Sequence, residues 1–204
     1  MTKTIRQKQF RGVFNGFRKN KSGMAAVEFA LIVPLLLAMY LGTVEISTGI
    51  TVNKRAARVA STVADLVTQQ SEVDKKTLDA MLEIGAAIMF PYTADQPKIT
   101  IVGIDVDEDH PEGGEIIWSR RYNKGKFDNG LGSGNGTKIA VPKRLIIDET
   151  FLVKVTTEIE YRPIVTWALG SKTDSDGNTY TAIDMSEEYW LRPRITDTVK
   201  CSDC

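Results

Sequence analysis

Three groups of residues in this chain of 204 amino acids have the types and spacing to do chemistry. One is a lone acid, Glu28, set in the 21-residue stretch from Met24 to Val44 that holds no other charged side chain. A carboxylate in hydrocarbon costs a few kcal/mol unless it is neutralised, reaches the interface or finds a partner. Glu28 therefore asks for a counter-charge. A second group is Asp105, Asp107 and Asp109, which have the alternate spacing of a calcium loop and are followed by Glu112 and Glu115. An EF-hand would want glycine where His110 stands and glutamate where Ile116 stands, so the motif is a solvated acidic turn; no metal site is expected, and these three aspartates are the candidates were there one. The third is the pair Cys201 and Cys204, which can close a short terminal disulfide in an oxidising compartment, within the chain or between chains. A redox role would need the pair at a helix N-terminus, and zinc would need two more ligands.

Much other chemistry is excluded by what is missing. His110 is the single histidine, so a multi-histidine metal centre is ruled out and a hydrolytic triad would have to use this one loop residue. The alternating Gly130, Gly132, Gly134 and Gly136 lack the spacing and the strand-to-helix setting of a phosphate loop, and Asp174, Asp176, Gly177 and Asn178 read as a turn. No enzyme is expected, and no cofactor.

The elements that must position these residues follow from periodicity. At about 1.5 Å per residue the Met24–Val44 run is long enough to cross a bilayer as a helix, with Pro34 as a kink site. Beyond it, Val52, Ala56, Val59, Ala60, Val63, Leu66 and Val67 recur at helical spacing, so the helix should continue to about residue 70 with one face packed. Lys54, Arg55 and Arg58 fall on the solvated or headgroup-facing side. A second helix capped by Ser71 or Asp74 buries Leu78, Met81, Leu82, Gly85, Ile88 and Met89 and stops at Pro91. From Lys98 the period becomes two. Strands are predicted over 99–106 with a bulge at Gly103, over 115–122 with Ile116, Trp118 and Tyr122 on one side, over 151–161 with one wet and one buried face, and over about 180–191. The fold class is α+β, a long helix before a small antiparallel sheet of about four strands, with 125–136 and 171–178 as surface loops.

Charge sets the topology. The chain is formally neutral, but residues 1–23 carry seven basic side chains and no acid, leaving nineteen bases against twenty-six acids in the remainder. A basic tract before an apolar span holds the N-terminus in the cytoplasm, with the rest outside. An acidic body argues against a nucleic-acid partner.

The basic tract, Gly23, the apolar start Met24-Ala25-Ala26-Val27, then Glu28, Phe29 and FALIVPLLL together resemble the class III signal of prepilins. More narrowly, KSGMAAVEFALIVPLLL is similar to the start of TadE-like proteins, pseudopilins or minor pilins of bacterial tight-adherence (Tad, or Flp) pili used in adhesion, and Arg192-Pro193-Arg194 resembles the ends of such proteins. The resemblance implies a pilin-like architecture and a leader, 1–23, removed by a prepilin peptidase between Gly23 and Met24, with Glu28 and Phe29 completing the recognised element. It implies a membrane helix at 24–46 and an extracytoplasmic domain at 47–204 on a single-pass inner-membrane protein that can enter the pilus. It also implies that Glu28 pairs with the new amino group of a neighbouring subunit's Met24. The implied partners are the peptidase, the major pilin and other pilus subunits, the inner-membrane platform and membrane lipid. The competing expectation is an uncleaved anchor carrying an extracytoplasmic binding or sensor domain.

Overall fold

The computed structural model describes residues 23–92, 97–107, 112–131, 137–163, 172–173, 177 and 179–204. Expectations placed on 1–22, Asp109, His110, Gly132, Gly134, Gly136, Asp174, Asp176 and Asn178 lie outside the described residues. The chain divides into two units, 1–45 and 46–204.

In the first unit the described residues are helical. They open helix α1 (Met24–Thr68), which is unbroken through Pro34. Its apolar residues face outward, and none in the most hydrophobic window is buried.

The second unit is an α+β body. It begins with the remainder of α1, whose Val52, Ala56, Val59, Ala60, Val63 and Val67 are buried as expected; Ala64 is buried with them, and Leu66 is only half-buried. Helix α2 (Lys75–Ile88) starts where the Asp74 carboxylate accepts the Thr77 N–H at 2.7 Å, satisfying one of the free donors of a helix start. It buries Leu78, Met81, Leu82 and Gly85. Gly85 is where the two helices approach: a Cβ there would lie 2.8 Å from a Val63 methyl and 3.2 Å from one of Val59.

Both helices pack on an antiparallel sheet of five strands in the order β4-β3-β2-β5-β8, formed by β2 (Lys98–Val106), β3 (Gly114–Asn123), β4 (Lys126–Asp128), β5 (Thr150–Tyr161) and β8 (Ile183–Leu191). Short pairs add β1 (Glu72–Val73) to β9 (Lys200–Cys201) in parallel, and β6 (Lys172–Thr173) to β7 (Thr179–Tyr180). The main core lies between helices and sheet, with Ile99, Ile101, Trp118, Phe151, Val153 and Val155 supplied by the strands.

The structure corrects the sequence reading at the sheet. The ladder between β2 and β3 shifts register between Gly103 and Ile104, where Gly103 faces Trp118 and Ile104 faces Ile116, leaving Ile117 as the extra residue. A bulge of this kind moves later side chains to the other face. Trp118 and Tyr122 therefore join the main core while Ile116 points the opposite way, into a second cluster with Val102, Ile104, Val106, Val141 and Leu152. That cluster, covered by Ile139, Leu145, Ile146 and Trp190, keeps the second face of the sheet partly dry, where a fully wet face was expected. The sheet has five strands instead of about four, because Lys126–Asp128, within the stretch read as a glycine-rich loop, folds back on β3.

Candidate functional site

Gly23 directly precedes α1, and a Cβ built on it would meet nothing within 4 Å. The backbone there is unobstructed. Met24 opens the helix, and Glu28 follows one turn later on the same face, about 6 Å along the axis. No acid occupies the first turn. Phe29 is 69% exposed, and Leu31 and Ile32 beside it are exposed as well. Glu28 itself is exposed and makes no hydrogen bond or ion pair among the described residues. A carboxylate on a surface otherwise built of Met, Ala, Val, Phe, Leu and Ile is costly to place in hydrocarbon unless it gains a counter-charge.

The other candidates fall elsewhere. Asp105, at the end of β2, stands opposite Glu115 in the ladder, and Asp107 follows two residues on. Burial, with Glu115 and then Asp107 beside it, raises the Asp105 carboxyl above its ordinary value. The described part of this turn brings these carboxylates near one another, and both aspartates are exposed.

Cys201 and Cys204 are joined within the chain, with Cα atoms 5.6 Å apart, so neither holds a free thiol. Between them Asp203 accepts the Lys75 N–H at the start of α2 at 2.8 Å. The disulfide belongs to a C-terminal strap. Arg194 pairs with Asp65 at 2.7 Å and donates its backbone N–H to Thr68 at 2.9 Å; Val199 is buried and its carbonyl accepts the Trp118 indole N–H at 2.8 Å; Ser202 donates to Val73 at 3.0 Å.

Sequence reasoning misplaced one basic residue in the body. Arg55, expected on the solvated or headgroup-facing side, donates to the carbonyls of Ile88 (3.3 Å) and Phe90 (2.5 Å) and lies over the Tyr92 ring at 5.2 Å. It satisfies the free carbonyls at the end of α2, where a cation also complements the helix dipole. Nothing in its local pattern signals this, because the acceptors lie more than thirty residues away. Likewise Asp79 of α2 binds Arg120 of β3 with both oxygens, at 2.7 and 2.8 Å, and holds the guanidinium in its charged form. An open groove lined by Lys98, Lys124, Glu158, Glu160 and Asp184 has its Lys98 ammonium 3.0 Å from both Glu158 oxygens. Among the described residues no histidine or cysteine lines it.

Residues 23–65 match the family model described as TadE-like protein. No curated protein and no solved structure matches the chain. The matched stretch opens at Gly23, holds Met24, Glu28, Phe29 and Pro34, and runs into the part of α1 that packs on the body. Over this stretch, about a fifth of its length, the chain is similar to TadE-like proteins.

Proposed function

We propose that this protein is a pseudopilin or minor pilin of a bacterial Tad (Flp) pilus, a structural and assembly component serving adhesion. Its basic leader is cut from the mature chain between Gly23 and Met24 by a prepilin peptidase. The mature protein crosses the inner membrane once through residues 24–46, with residues 47–204 outside, and passes into contact with the major pilin, other pilus subunits and the assembly platform. The observation that carries this reading is Glu28, exposed and without a partner in the TadE-like segment.

The proposed chemistry is electrostatic. Cleavage creates an ammonium on Met24 at the membrane edge, one helical turn from the acid of its own chain. Two such chains set side by side bring the amine of one to the Glu28 carboxylate of the other, and each charge offsets the other's desolvation. A lone copy keeps an unpaired carboxylate in lipid, so Glu28 favours the assembled state. Cleavage and assembly are thereby linked, since the positive half of the pair exists only after the peptide bond is broken.

Membrane-extracted protein should begin at Met24 when the peptidase is present and at Met1 when it is absent, as read by intact mass. A chain that keeps Met1 under both conditions supports the anchored binding or sensor domain instead. Glu28→Gln should leave the body folded and lower the amount of protein recovered in sheared pilus or assembly complexes by at least about tenfold, the effect of losing roughly 1.4 kcal/mol of pairing. Undiminished incorporation of that variant would sink the ion-pair mechanism.

A further inference from the structure

Helix α2 changes character along its exposed side. Its N-terminal half shows solvent Lys76 and Ala80, with Lys75 and Asp79 half-buried; its C-terminal half shows Ile84, 50% exposed, then Ala87, and just past the helix end Phe90, 71% exposed. The direction of the helix gives this gradient a meaning. Gly85 meets Val59 and Val63, while the Ile88 and Phe90 carbonyls meet Arg55 four to eight residues earlier, so α2 runs back along α1 toward Ile50 and Ile46, which are themselves exposed. The exposed apolar residues of the two helices collect at one end of the body.

Basic side chains border that end. Lys54 and Arg58 are exposed one turn apart on α1, and Arg55 is fixed against the α2 terminus. Glu83 is the exposed acid on this half of α2. An aromatic ring beside lysine and arginine, next to an apolar helix, is the composition of a segment lying at a membrane interface, where the ring enters the boundary layer and the cations meet lipid phosphates.

We infer that the C-terminal end of α2 is a second membrane contact: Phe90 and Ile84 enter the interface of the bilayer, and Lys54 and Arg58 engage anionic headgroups. The inference rests on residues 24–46 spanning the bilayer, and it adds a surface contact made by the body. Such a contact would hold the body against the membrane before assembly and release it on incorporation.

The test uses the full chain reconstituted in vesicles of phosphatidylcholine mixed with phosphatidylglycerol, carrying a single nitroxide at an introduced Phe90→Cys, Lys76→Cys or Leu36→Cys, with the terminal disulfide intact. The label at position 90 should collide with oxygen in preference to a water-soluble nickel chelate, and the label at 76 should do the reverse. Changing Lys54 and Arg58 to Gln should raise chelate access at position 90 in the mixed vesicles and leave it unchanged in phosphatidylcholine alone, since each basic residue near an anionic surface is worth about fivefold in affinity. A label at 90 as open to the chelate as one at 76, while the label at 36 is shielded, overturns the surface contact and leaves the span standing. A label at 36 open to the chelate overturns both. Dipolar broadening between position-90 labels that disappears on dilution with unlabelled protein assigns the face to a second copy, and also overturns the lipid contact.

Discussion

One helix, α1, is built in two ways. From Met24 to Glu45 its apolar side chains are large, among them Phe29, Leu31, Leu35, Leu36, Leu37 and Met39, and all of these are exposed. From Ile46 to Thr68 the buried ones are small, valine and alanine with a single threonine. Size follows the neighbour. In the proposed span the neighbours would be lipid chains, which conform to any outline, so bulky residues would cost nothing there and add apolar area. A second helix is rigid, and it comes close enough to use Gly85 only because it meets valine and alanine.

That contrast breaks most sharply at leucine. Leu82 of α2 is fully buried in the main core, and Leu36 is 57% exposed in the apolar stretch. Leu82→Ala should lower the unfolding free energy of the body in mild detergent by about 2–5 kcal/mol, the transfer loss plus an unfilled cavity. Leu36→Ala should change it by no more than about 0.5 kcal/mol. Chemical denaturation followed by near-ultraviolet dichroism reads both. Equal losses would mean that the apolar stretch also supports the core of the body.

Glycine sharpens the same point at smaller scale. Gly85→Ala places a methyl 2.8 Å from Val63 and 3.1 Å from Ile99, and should cost about 1–3 kcal/mol by overpacking. Gly42→Ala meets nothing within 4 Å and should leave the melting of the body within about 0.5 kcal/mol of the parent. Pairing Gly85→Ala with Val63→Ala tests the cause. Recovery of part of the loss shows that the methyl contact with Val63 is responsible, and strict additivity shows that it is not.

What could be read from the sequence follows the range of the interactions. The buried stripes of α1 and α2 and the alternation along β5 recur within a few residues, so periodicity finds them. The need for glycine at 103 is not local, because a Cβ there would run into the Trp118 indole and lie 2.8 Å from a Phe151 ring atom, both on other strands. The facing of Ile116 is not local, since it depends on Ile117 being the unpaired residue in a ladder with β2. The strap is hidden for the same reason. Val199 has no periodic neighbours, and its burial comes from Trp118 and the β1–β9 pairing, far away in the chain. Arg55 looked solvated because its carbonyl acceptors belong to another helix. The candidate site around Glu28 was legible because its signal is a charge out of place in its own segment, which needs no tertiary contact to be seen.

The smallest expected effect concerns pH, and it falls on three carboxyls of the body. The side-chain and backbone bonds from Thr77 hold Asp74 below its ordinary value; burial pushes Asp128 up, but Arg121 and the Gly130 N–H outweigh it and hold that carboxyl low. For both groups the folded form binds its proton less readily than the unfolded chain. Their stabilisation is present above the ordinary aspartate range and is lost as pH falls through it. Asp105 has the opposite sign: raised by burial, Glu115 and Asp107, it weakens the fold once ionised, and the loss grows as pH rises through the carboxylate range. Asp105→Asn should therefore raise the melting temperature of the body slightly at neutral pH and lose that advantage in acid. Asp74→Asn keeps a cap acceptor without the charge, and should flatten the acid side of the stability curve instead. If Asp105→Asn instead lowers the melting temperature at neutral pH, the carboxylate is making a favourable contact and the acidic turn has a counter-charge.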